Sequence, residues 1–184
     1  MTIRILSSHF CICIMEHIFL SIRCVGIEAM EDMHMHTADV FVHYGDTEYR
    51  PELLPGRLQN HANGKPLGLW ACAKEYDGWR NWCEHEDFHV ENLSKSFNFK
   101  LKSDANILEI RYFEDIEPYL KPNGKYPPAM RAFLPSYITC VLDEEKLAGY
   151  DGMLVQLSDT TGFYGFFELW DVDSLVIWND IVEA

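Results

Sequence analysis

From residue 38 onward the chain is cut into short β-branched and aromatic runs, each closed within a few residues by a turn signal. Val40-Phe41-Val42-His43-Tyr44 ends at Gly45-Asp46, and Leu67-Gly68-Leu69-Trp70-Ala71-Cys72 follows the Asn63-Gly64 turn. Phe97 to Leu101 alternates apolar and polar, and Asp104-Ala105-Asn106 leads into Ile107 to Tyr112. Gly152 to Leu157, Phe163 to Trp170 and Ser174 to Trp178 complete the set, with a turn at Ser158 to Gly162. Runs this short read as strands, since helices need about ten residues or more to show their period. The helical signals are few: Pro51 to Leu54, a stripe of Trp79, Trp82 and Cys83 after Asp77-Gly78, Asp115 to Leu120, and Asp143 to Leu147. Many strands with a few short helices predict an α+β domain rather than a doubly wound sheet. Lys121 to Pro135 holds four prolines and Gly124, and is expected to be a loop covering the site as a lid.

Residues 1–37 differ in kind. The formal charges of the first thirty are Arg4, Glu16, Arg23 and Glu28, so this stretch is neutral and the net −14 falls on the remainder. Glu16 and His17 interrupt its apolar middle, which argues against a signal peptide or membrane span. The expectation is a dispensable N-terminal extension over 1–37, with one domain over 38–184. With 48% hydrophobic residues the chain can build a true core. An excess of that size repels phosphate backbones and anionic lipid, so neither nucleic acid nor membrane is the expected partner. The six cysteines form no CxxC pair and no dense framework, which points to reduced thiols and a cytoplasmic location.

His85-Glu86-Asp87-Phe88-His89 matches H-E-x-x-H, in which two His one helical turn apart bind zinc and Glu acts as base. Asp87 puts a charge inside the motif, and Glu84, Glu86 and Glu91 make the stretch acidic and solvated. A zinc hydrolase is therefore an alternative, and the expectation is that no metal binds here.

Three segments carry more suggestive chemistry. His43 and Tyr44 end a strand, Trp70 and Cys72 alternate along another, and Asp171 and Asp173 flank the start of the strand Leu175-Val176-Ile177-Trp178. Two acidic residues spaced by one project to the same side. In this order the segments resemble the ADP-ribosyltransferase superfamily, with its His or Arg on an early strand, an aromatic or Ser on the next, and an E-x-E before a late apolar strand. Gly68-Leu69-Trp70, Trp79-Arg80-Asn81-Trp82-Cys83 and Trp170 to Asn179 also resemble small proteins of phages and mobile elements. The likeness extends loosely over residues 40–182. Asp173 stands where the superfamily has Glu, and Trp70-Ala71-Cys72 replaces its Ser-Thr-Ser strand.

The resemblance implies a split, mainly antiparallel sheet, NAD as substrate, and transfer of ADP-ribose to a bacterial protein by a phage- or mobile-element-encoded enzyme. It implies Asp173 as the carboxylate opposite the developing ribose cation and Asp171 as the group that activates the acceptor. His43 would bind the adenosine ribose, with Tyr44, Trp70 and Cys72 around the nicotinamide. A non-catalytic module that blocks a basic groove by its acidic surface is the other alternative.

Overall fold

The β-branched and aromatic runs pair into one seven-stranded sheet in a computed structural model, which describes residues 40–61, 65–134, 136–156 and 166–183. The proposed extension over 1–37 lies outside the described residues. The strands are β1 (Phe41–Tyr44), β2 (Leu69–Ala73), β3 (Ser96–Leu101), β4 (Ile107–Ile110), β5 (Leu120–Pro122), β6 (Cys140–Leu142), β7 (Gly152–Val155), β8 (Ser174–Ile177) and β9 (Val182–Glu183). Their order in the large sheet is β4-β7-β8-β2-β1-β3-β9, and β5 and β6 form a separate two-stranded ribbon. The β4–β7 pair is parallel and the other pairs are antiparallel. The helices α1 (Gly78–Glu86), α2 (Phe113–Ile116), α3 (Pro128–Arg131) and α4 (Ser136–Thr139) are short. The class is α+β.

Alternation along the strands divides the apolar residues between two cores. One contains Leu108, Ile110, Met153, Val155, Val176 and Trp178, joined by Phe166, Phe167 and Trp170 from the segment before β8. The other contains Phe41, Ala71, Phe99, Leu154, Leu175 and Ile177. All four residues of β7 and of β8 are buried. A continuous apolar run such as Leu175-Val176-Ile177 is what a strand covered on both faces requires, and each such side chain contributes about 1.5–3 kcal/mol on burial.

Two expected elements differ. Of the strand expected over Phe163 to Trp170, the described part forms a 3-10 turn at Phe166–Leu169. The rings of Phe166, Phe167 and Trp170 gather around one another there, which a period-two strand would forbid. The expected helix at Asp143 to Leu147 is a run of turns, with one helix-type bond from Leu147 N–H to the Asp143 carbonyl. The turn expected at Ser158 to Gly162 lies outside the described residues.

The lid expected over Lys121 to Pro135 is corrected as well. Its first residues belong to β5, with Pro122 paired opposite Cys140. Asn123 donates its backbone N–H to the Thr139 carbonyl and its side-chain amide to that of Ile138. The segment is tied to β6 and α4, and none of its described residues lines the cavity described below.

Candidate functional site

β1 and β2 pair only at Phe41–Ala73 and Val42–Cys72. Beyond that point they part, and the His43 ring enters the gap, donating from Nδ1 to the Trp70 carbonyl at 2.6 Å. A carbonyl only accepts, so the proton sits on Nδ1. The ring also lies 5.2 Å from that of Phe97, and Nε2 is 3.6 Å from Asp46.

A cavity of about 210 Å³ opens where the strands part. His43, Tyr44, Trp70 and Cys72 line it from β1 and β2, Trp79 from α1, and Asp171 from the segment before β8. Lys65, Trp170 and Ser174 complete its wall. A second opening of about 160 Å³ lies among Tyr49, Leu53, Leu54, Leu69 and Phe97, and His43 lines it too.

Tyr44 is held by a polar cluster. Its hydroxyl donates to the Asp77 carboxylate, 2.7 Å from each oxygen, and accepts from Arg80 Nε at 3.2 Å. Arg80 Nε lies 3.2 Å from Asp77 as well, and its guanidinium is 5.3 Å from the centre of the Tyr44 ring. Burial first, and then the bond to Asp77, push the Tyr44 hydroxyl up to about 12. Cys72 Sγ lies 3.8 Å from Asp77, and burial pushes that thiol up to about 11. Cys72 is thus a neutral, apolar wall residue, since nucleophilic cysteines need a depressed value.

The opposite wall is aromatic with one cation. The Trp70 and Trp170 rings are 5.3 Å apart, and the Lys65 ammonium lies 5.6 and 5.4 Å from their centres. A tight loop carries Lys65 there, closed by the Asn60–Pro66 bridge and by His61 N–H on the Lys65 carbonyl at 2.7 Å. Trp70 Nε1 donates to the Pro66 carbonyl at 3.2 Å, pinning the indole to the same loop. Burial lowers the Lys65 ammonium and the Asp171 charge partly restores it. The corner is therefore a desolvated cation beside a carboxylate, in a chain whose net charge is −14.

Of the six residues singled out in the sequence, His43, Tyr44, Trp70, Cys72 and Asp171 line this one cavity. Asp173 does not line it. Residues 171–173 form a bend rather than extended chain, so the two carboxylates do not share a side as an i, i+2 pair would. Asp173 is 9% exposed and its charge bears on the Tyr76 hydroxyl. Lys65, Trp79 and Trp170 were not singled out as site residues. Lys65 reaches the site through a loop, and nothing in its local sequence marks that.

The H-E-x-x-H segment has no zincin geometry. α1 ends at Glu86, Asp87 turns left-handed at φ 52°, and His89 is likewise left-handed at φ 48°. His85, in the last turn of α1, and His89, beyond its end, thus do not share one continuous helix, and their side chains are 84% and 59% exposed. Among the described residues no group of three or more His, Cys, Asp or Glu is placed to hold a metal ion, and no helix is long and apolar enough to cross a membrane. Comparison with protein-family models, curated proteins and solved structures returns no match.

Proposed function

We propose that the chain cleaves NAD at the nicotinamide–ribose bond and passes ADP-ribose to a nucleophile on a protein, as an ADP-ribosyltransferase-like enzyme. The observation that carries this reading is the convergence of His43, Tyr44, Trp70, Cys72 and Asp171, from three separate parts of the chain, on one cavity. A pocket that encloses a whole drug-sized ligand measures roughly 300–1,000 Å³. About 210 Å³ suits one ring-sized group, here the nicotinamide, between aromatic faces that favour a flat π-system. Lys65 would meet the pyrophosphate as the cavity's one lysine.

The chemistry needs little beyond charge placement. As the bond from ribose C1′ to nicotinamide breaks, its electron pair leaves with the nicotinamide and positive charge grows on the ribose. A fixed carboxylate beside that centre stabilises the cation. The acceptor nucleophile then bonds to C1′ and gives up its proton. Asp171 is the carboxylate on the cavity wall, so this reading assigns the electrostatic role to Asp171 in preference to Asp173. The test is release of nicotinamide from labelled NAD, with and without a bacterial lysate as acceptor, alongside melting curves with NAD. A folded protein that shows no nicotinamide release and no NAD-dependent rise in melting temperature would overturn the reading.

A further inference from the structure

We infer that the aromatic face at the end of α1 is a docking surface for a basic, apolar-flanked segment of a partner protein. Trp79 and Trp82 stack with centroids 5.2 Å apart, and Phe88 meets them edge-on at 6.3 and 5.3 Å. These rings belong to neither core described above. Phe88 is 42% exposed and its neighbour Val90 is 40% exposed. The backbone is strained on both sides of Phe88, at Asp87 and His89, both non-glycine residues in the left-handed region. Such conformations cost on the order of 1 kcal/mol or more each and persist where the surroundings over-determine them. Here they turn Phe88 back onto the two half-buried indoles while Phe88 itself stays exposed.

Charge identifies the occupant. Glu84, Glu86, Asp87 and Glu91 lie on the same short stretch of chain as these rings, and all four are exposed. Arg80, the formal base of this stretch, is engaged by Tyr44, Asp77 and Glu84. An aromatic face rimmed by carboxylates attracts Arg and Lys twice, through the ring faces and through the acidic rim. Acidic or plain apolar segments gain neither attraction. Trp79 belongs both to this face and to the cavity wall. A segment seated on the rings therefore lies against the cavity. If the proposed ADP-ribosyl transfer holds, that segment is the acceptor; the docking itself does not require it.

The test uses the full chain near about pH 8, where histidines are mostly neutral. Binding of a dye-labelled peptide of alternating Arg and Leu is compared with one of alternating Glu and Leu. The basic peptide should bind, and weaken as salt rises. Phe88→Ser and Glu86→Lys, neither of which lines the cavity, should each weaken it by about tenfold. Glu114→Lys, the same charge change on an exposed residue of α2, should change it by less than about twofold. Equal binding of the two peptides, no binding of either, or Phe88→Ser and Glu86→Lys that bind like the parent would overturn the inference. Self-association that Phe88→Ser abolishes would overturn it in favour of a second copy as occupant. Peptide binding as described without nicotinamide release would leave the docking surface standing and remove only the transferase reading. Nicotinamide release without peptide binding would do the reverse.

Discussion

Tyr44→Phe tests whether the polar cluster behind the cavity is held as its geometry implies. The substitution deletes one hydroxyl and keeps the ring. The Asp77 carboxylate loses a donor 2.7 Å from both of its oxygens, and keeps Arg80 Nε at 3.2 Å and the weak Cys72 thiol at 3.8 Å. A hydrogen bond to a charged acceptor contributes about 1.5–3 kcal/mol. Partial exposure of the Asp77 side chain, 28%, scales that down to about 1–2 kcal/mol. For a chain of this size the melting temperature should fall by about 2–8 °C. The alkaline limb supplies the sign. The folded-state Tyr44 value is raised to about 12, above the ordinary 10.0. The stability it contributes is therefore complete below about pH 10 and lost as pH rises through about 12. The melting gap between parent and variant should be constant from neutral pH to about 10 and shrink above it. Calorimetry across that range measures both, and Asp77→Asn alone and combined with Tyr44→Phe isolates the pair. An unchanged melting temperature, or a gap that stays constant well above pH 10, would refute the reasoning.

Three further outcomes follow from the same coordinates. Asp171→Asn should lower nicotinamide release by on the order of 100-fold with little change in melting temperature, whereas Asp173→Asn should leave release close to the parent; the opposite ranking would return the role to Asp173. The Cys72 thiol, raised to about 11, should resist iodoacetamide at neutral pH and react faster as pH rises, followed by mass spectrometry of the Cys72 peptide; rapid neutral alkylation would contradict its burial. Gly152→Ala would put a Cβ 2.6 Å from the Val176 carbonyl oxygen and 2.9 Å from Ile177 Cγ2, so it should destabilise by about 1–3 kcal/mol in denaturant titration.

Where the sequence was readable, the signal was local. β1, β4, β7 and β8 fall within runs whose β-branched and aromatic content marks them without reference to the rest of the chain, and β2 and β3 overrun theirs by one residue, at Ala73 and Ser96. β5, β6 and β9 have two or three residues each, too few for a period to register, and Pro122 disguises the end of β5. That proline is tolerated because it ends a strand of a two-stranded ribbon, away from the large sheet. The site divides in the same way. His43, Tyr44, Trp70 and Cys72 sit at the ends or within strands whose positions the pattern supplies. Lys65 and Trp170 meet across a hundred residues through a cation over two rings, a contact that no window of sequence contains. Asp173 shows the limit of alternation: the rule holds within β8, but the bend at 171–173 precedes the strand.

The position of β8 sets when the two parts of the large sheet can join during synthesis. It pairs with β7 on one side and β2 on the other, so without it β4 and β7 have no link through the sheet to β2, β1 and β3. Every nascent chain shorter than about residue 174 therefore lacks both the bridging strand and the Asp171 wall in a settled place. A fragment that stops short of β8 leaves the Leu69–Ala71 edge of β2 open, and with it the side of the cavity that Asp171 and Ser174 wall.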